Sequence, residues 1–287
     1  MGVTVVTDST HYLPPELVAS LRLHEVSLYV KLDGALRRES DMSDMPAFWE
    51  LMRSGAALPT TSQPSIGDFV ACYEPLLKAG QDIVSIHLSA GISGTYDSAL
   101  QARAQLAENG YDGRIEVLDS RTVCGGTGLE LLAAAARART GGSLAEVAAH
   151  AQAARDSLRI WFVLDTLEYL RRGGRVGGAQ AWLGGALKIK PILSLESQIE
   201  PVERVRTWGR AFERMVQYMH TLHGDGADAW VVQHIQAPGE AQRLVERGVE
   251  IFGCEPRFVS EVGPVIGAHA GPGMIGVGGL PPAMVDL

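Results

Sequence analysis

The sequence predicts an α/β protein, with a parallel-sheet α/β/α domain over residues 1–157 followed by an α+β domain over residues 158–287. Three observations carry this expectation. In the first half, short apolar runs alternate with helical stretches and each run ends in Asp, Ser or Thr, the pattern of a parallel sheet whose loops gather at one edge. After about residue 157, longer helices mix with strands that return quickly, which suits an α+β unit. At 287 residues, 46% hydrophobic and 20% charged, the chain is globular and long enough for two domains.

Taken in order, the β-branched run at 3–6 is a strand that stops at the turn Thr7-Asp8-Ser9-Thr10, and Pro14-Pro15-Glu16 opens a helix over 16–21. Residues 26–32 read as a second strand and 45–52 as a short amphipathic helix. Thr60-Thr61-Ser62-Gln63-Pro64-Ser65 is a polar loop before a helix near 66–79. A strand at 83–88, a helix at 96–106, a strand at 115–118 ended by Asp119-Ser120, and an Ala-rich helix at 128–139 follow. In the second half, 160–164 is a strand, 166–170 a helix, and Arg171-Arg172-Gly173-Gly174-Arg175 a basic glycine loop. A helix at 179–187, a strand at 189–195, a helix at 208–222, a strand at 228–233 and a helix at 238–251 come next. The Gly- and Pro-rich stretch 262–273 around His269 indicates a fixed backbone path that no regular element follows.

A net charge of -8, from 25 basic and 33 acidic residues, argues against nucleic acid or an anionic membrane as the main partner. Cys72, Cys124 and Cys254 are far apart and odd in number, so they read as reduced, buried thiols of a cytoplasmic protein. The start, MGVTVVTDST, has no basic leader or long apolar core, and no run approaches the ~20 apolar residues of a spanning helix. The expectation is a cytoplasmic protein without stable membrane insertion.

Ser89-Ala90-Gly91-Ile92-Ser93-Gly94-Thr95, directly after an apolar strand, admits three readings. As a nucleophile elbow, Ser93 has Thr95 where the second glycine belongs, with His269 as base and Asp119 or Asp165 as the third member. As a cap, Ser93 or Thr95 starts the following helix. The third reading joins it to Thr61-Ser62: both segments lie just before helices, where free amides and the positive dipole end favour an anion. Neutral hydroxyls without Lys or Arg suit a carboxylate better than a phosphate, and neither a P-loop nor a lysine beside Gly125-Gly126-Thr127-Gly128 is present. His220 and His223 lack further ligands at metal spacing and read as surface residues, and Arg204 and Arg206 as a solvated strand face.

The segments TDST at 7–10, TSQPS at 61–65, SAGISGTYDSA at 89–99, DS at 119–120, LDTLEYLRRGGR at 164–175, KPIL at 190–193 and VGPVIGAHAGPG at 262–273 fall in order over nearly the whole chain. Together they resemble the DegV family of bacterial fatty-acid-binding proteins, of the kind called FakB. The resemblance implies two domains with a long-chain fatty acid between them. It implies a carboxylate held by Thr61 and Ser93, helped by the Gly94 amide and more indirectly by His269, and the adjacent Ser62 joins them as a candidate from its place before the helix. It also implies a non-catalytic protein with no cofactor beyond the bound acid, which presents that acid to a FakA-like fatty acid kinase for acyl-phosphate formation in phospholipid synthesis. The resemblance also implies a fold related to the substrate subunit of dihydroxyacetone kinases, so a ketone-binding subunit using His269 joins the serine hydrolase using Ser93 as an enzyme alternative. Arg171, Arg172 and Arg175 match the family's basic glycine loop and form either a contact for the partner or head group, or a solvated helix end. Residues 182–187, Trp- and Gly-bearing, depart from the pattern, which puts chain-length preference in question. Leu164, Leu167, Leu187 and Ile192 line either the tail slot or the core. Roughly 14 buried methylenes at about 0.8 kcal/mol each offer ~11 kcal/mol before ordering costs, so the tail can supply most of the affinity.

Overall fold

The computed structural model describes residues 2–32, 34–55, 59–183 and 189–286. Val3–Asp8 (β1), Pro15–Leu21 (α1), His24–Val26 (β2), Tyr29–Leu32 (β3), Ala35–Arg38 (β4), Met45–Ser54 (α2) and Thr60–Ser62 (β5) come first. Ile66–Lys78 (α3), Asp82–His87 (β6), Thr95–Leu106 (α4), Ile115–Asp119 (β7), Gly125–Arg139 (α5) and Leu144–Ser157 (α6) follow. Next are Arg159–Val163 (β8), Glu168–Gly173 (α7), Lys190–Glu196 (β9), Gln198–Val205 (β10) and Trp208–Gly224 (α8). Ala229–His234 (β11), Pro238–Phe252 (α9), Phe258–Glu261 (β12), Pro264–Ala270 (α10) and Ile275–Leu280 (β13) are the last.

Among the described residues the strands form three sheets. The first is parallel, ordered β2-β1-β6-β7, as the alternating pattern predicts. Its central strand β6 is buried from Ile83 onward, because helices cover both faces. The second is six-stranded, ordered β10-β9-β8-β13-β11-β12, antiparallel except for the β11–β12 pair. Helices α8 and α9 pack on one of its faces around Trp230, Met215 and Leu244. No helix among the described residues is long and apolar enough to cross a membrane.

The third sheet, β4-β3-β5, corrects two expectations. Residues 26–32 are not one strand. The Leu28 amide donates to Ser9 Oγ and the Leu28 carbonyl accepts from the Glu39 amide, so the chain leaves the parallel sheet there and turns into the β3–β4 hairpin. The polar stretch 60–65 is not all loop, since Thr60–Ser62 pairs as an edge strand with Tyr29, Val30 and Lys31. A third correction falls at 262–273, where Pro264–Ala270 is helical. Proline serves at its first turn, where the missing N–H has no intrahelical partner in any case. The next two amides are taken by Glu39 Oε1 (Val265 N, 2.8 Å) and Tyr12 Oη (Ile266 N, 3.2 Å). A Cβ at Gly267 would sit 2.4 Å from the Trp49 ring, so only glycine lets this helix reach α2.

Helix α6 went unrecognised although Ser143-x-x-Glu146 forms a complete capping box. The expected helix 179–187 is a short 3-10 turn at Gly177–Trp182, and residues 184–188, Leu187 included, lie outside the described ones. The cysteines carry no disulfide, but only Cys124 is buried; Cys72 is half-buried and Cys254 exposed.

A buried polar chain ties β1 to β6. Asp8 accepts from the Leu88 amide and lies 3.1 Å from His87 Nδ1, His87 Nε2 lies 2.7 Å from Ser85 Oγ, and Ser85 Oγ lies 2.7 Å from Tyr73 Oη. Burial alone would push the Asp8 carboxyl up, but the bonds from His87, Thr10 and Leu88 outweigh it and hold the group below its ordinary value. Asp8→Ala strands these buried donors, and the expected cost is about 3 kcal/mol of unfolding free energy. Urea titration of the variant against the parent checks it.

Candidate functional site

Between the parallel-sheet half and the face of the six-stranded sheet opposite α8 and α9 lies a cavity of about 200 Å³. Leu88, Ile92, Val123 and Cys124 wall it on one side, and Phe162, Leu195, Ile199 and Met274 on the other. Its polar lining includes Thr61, Ser62, Gln63, Ser93, His269 and Arg175, and the exposure of Ser62, Gln63 and Arg175 brings this end to the surface. Five residues singled out from sequence, Thr61, Ser62, Ser93, His269 and Arg175, therefore converge on one cavity.

Each is placed by its element. Thr61 stands on β5, in register with Val30, and its Oγ1 lies 2.7 Å from Nε2 of His269 on α10. The other ring nitrogen, Nδ1, has no hydrogen-bond partner among the described residues. Burial, and then the positive charge of Arg175, lower the His269 pKa to about 4, so the imidazole is neutral at physiological pH. Ser93 Oγ lies 2.9 Å from Thr95 Oγ1 and accepts from the Thr95 amide at the start of α4. Gly94 does not line the cavity, and a Cβ on it would meet the Gln63 amide group at 2.6 Å. Gln63, not singled out as a contact by sequence reasoning, thus packs over Gly94 and joins the polar lining.

The arginines divide. Arg175 donates to the carbonyls of Ile92 and Gly173, so its charge is held at the cavity without a carboxylate partner among the described residues. Arg171 and Arg172 both pair with Glu168 on the exposed side of α7 and lie outside the lining. Their hydrogen bonds hold the Glu168 carboxyl down to about 2.

Hydrolase chemistry finds no geometry here. The imidazole of His269 meets Thr61 and not Ser93; Asp119 accepts from the Ala90 and Arg121 amides; Asp165 pairs with Lys190. An Asp–His–Ser series among the described residues, Asp8–His87–Ser85, has no exposure at any member and is sealed from substrate. Among the described residues no group of His, Cys, Asp or Glu is placed to hold a metal ion, and His223 instead pairs with Asp228. Leu164, Leu167 and Ile192 belong to the packed core and do not line the cavity.

Sequence reasoning also passed over Glu39, a 7% exposed carboxylate. It accepts from Ser9 Oγ (2.5 Å), Tyr12 Oη (2.8 Å) and the Val265 amide (2.8 Å), and so fixes the start of the helix that carries His269. Burial pushes its carboxyl up to about 7, against those three bonds.

Residues 2–281 match the family model described as "Uncharacterised protein, DegV family". A DegV domain-containing protein of Clostridium acetobutylicum is 38% identical over 279 residues, covering 96% of this chain and 97% of its own. Among solved structures, one described as fatty acid binding of a DegV family protein from Thermus thermophilus has TM-score 0.86 and 35% identity, covering 98% of this chain and 100% of its own. Another, of DegV from Bacillus subtilis, described as a fatty acid binding protein, has TM-score 0.86 and 34% identity, covering 98% and 99%.

Two measurements check the electrostatics. Arg175→Gln removes the second cause of the His269 depression, so the imidazole pKa should rise partway toward its ordinary value, as read by NMR titration. Glu39 has its pKa raised on folding, so its contribution to stability is complete below the ordinary carboxyl range and is lost as pH rises through about 7. Glu39→Gln should remove that loss, with a gain over the parent of about 3 kcal/mol between roughly pH 5 and pH 8 in unfolding free energy.

Proposed function

We propose, for a chain that belongs to the DegV family, that it is a non-catalytic carrier of one long-chain fatty acid, held between units at residues 1–157 and 158–287. The observation that carries this reading is the cavity itself, apolar along its walls and gathering the Thr61, Ser62 and Ser93 hydroxyls at its exposed end. Proteins of the same family from Thermus thermophilus and Bacillus subtilis are described as binding fatty acids.

In this reading the carboxylate lies between Thr61 and Ser93, near the Gly94 amide at the start of α4. A proton on Nε2 of the neutral His269 donates to Thr61 Oγ1, because Nδ1, having no partner, is better left as an acceptor than as a buried N–H. That arrangement turns the Thr61 hydroxyl proton toward the ligand. Arg175 adds positive potential from a carbonyl-held, exposed position, so release of the acid strands no buried charge. The exposed carboxyl end suits hand-over to a separate FakA-like fatty acid kinase in the cytoplasm, with Arg171 and Arg172 on the neighbouring surface as contacts for it. No cofactor is needed for holding the acid. A ketone-binding role for His269 is disfavoured by the engagement of its Nε2 with Thr61.

Native mass spectrometry of freshly purified protein should show a non-covalent long-chain acid that leaves intact on denaturation. Thr61→Ala and Ser93→Ala should each weaken binding roughly tenfold, as befits one hydrogen bond to a charged group. A covalent acyl adduct on Ser93, or unchanged affinity in Thr61→Ala, would refute the clamp.

A further inference from the structure

The six-stranded sheet faces the cavity with its middle missing. The register places Phe162, Gly276 and Gln233 in one cross-strand row, and Ile160, Gly278 and Val231 in the next. All six line the cavity. Residues two apart on a strand share a face, so both rows point the same way, about 7 Å apart. Side chains on β8 and β11 therefore flank a strip of bare backbone along β13, forming a trough one strand wide. β13 follows His269 and its helix within a few residues, so the row of Gly276 lies nearer the polar end and the row of Gly278 deeper.

Glycine weakens a strand, and each of these asks for a reason. Gly279 faces the other way, where a Cβ would lie 2.4 Å from the Ala227 carbonyl oxygen. A Cβ on Gly278 would lie 2.9 Å from the Arg159 carbonyl oxygen. Packing excludes a side chain at both. Gly276 is different: its Cβ would meet Phe162 Cβ at 3.4 Å, the Trp161 carbonyl oxygen at 3.5 Å and Met274 Sδ at 3.7 Å, all ordinary contacts, and its φ is not left-handed. Among the described residues nothing forbids a side chain there; one would simply fill the trough.

We infer that Gly276 determines specificity, its bare backbone letting the acyl tail pass along β13 to the row of Gly278. The inference rests on the fatty-acid reading above. At the deeper row, Ile160, together with Leu195 and Thr122, lines both this cavity and a polar groove bearing Arg121, Arg155 and Arg159, so an apolar tail stops at that partition.

The test compares decanoic and octadecanoic acid by calorimetry on the parent, Gly276→Ala and Gly276→Val, with a melting curve for each. Gly276→Val should keep decanoic acid within about threefold and lose octadecanoic acid by at least tenfold, since each excluded methylene costs roughly fourfold. Gly276→Ala, whose methyl has room in the fold, should melt with the parent and shift the same ratio less. An unchanged ratio of the two affinities in Gly276→Ala and in any folded Gly276→Val overturns the inference. Should the parent bind neither acid, the carrier reading fails and takes this inference with it, a result distinct from binding without chain-length discrimination.

Discussion

The hydrogen bond between Thr61 and His269 joins residues 208 positions apart, and the polar end of the cavity depends on it. One partner stands on an edge strand of the first half, the other on a seven-residue helix of the second. Neither element is stable alone. The strand is held by its register with Tyr29, Val30 and Lys31, and the helix by acceptors on Glu39 and Tyr12 at its start and by the close approach of Gly267 to Trp49. Burial keeps the ring neutral, which lets it meet a hydroxyl without bringing a counter-charge into an apolar wall.

The cavity and the core are built from the same residue types, and what separates them is side-chain volume removed at chosen places. On the face of the six-stranded sheet turned to α8 and α9, Trp230, Val232, Ile275 and Val277 pack into one buried cluster. On the other face, two glycines of β13 leave a gap between flanking side chains. A sheet with one full face and one grooved face needs only a period-two alternation in its central strand, and IGVGGL supplies it.

Much of this was legible in the sequence. Strands expected at 3–6, 83–88 and 115–118 occur as Val3–Asp8, Asp82–His87 and Ile115–Asp119, because buried parallel strands are continuous apolar runs with polar ends. The convergence of Thr61, Ser93 and His269 was legible through the order of seven motifs. Other features depended on distant contacts. The break after Val26 follows from Ser9 and Glu39, and the helix at Pro264–Ala270 from acceptors more than 220 residues away in sequence. Strand β13 was invisible because glycine carries no strand propensity, and Gln63 and Glu39 because nothing local distinguishes them from surface residues.

The strand that floors the trough is the last in chain order yet lies between β8 and β11 near the centre of its sheet. During synthesis, β8 has no neighbour on that side until residues 275–280 have been made. The cavity therefore comes into existence only once residues 275–280 are made and β13 inserts into a waiting slot. A chain that lacks β13 would expose the apolar faces of β8 and β11 to chaperones or proteases and would form no cavity.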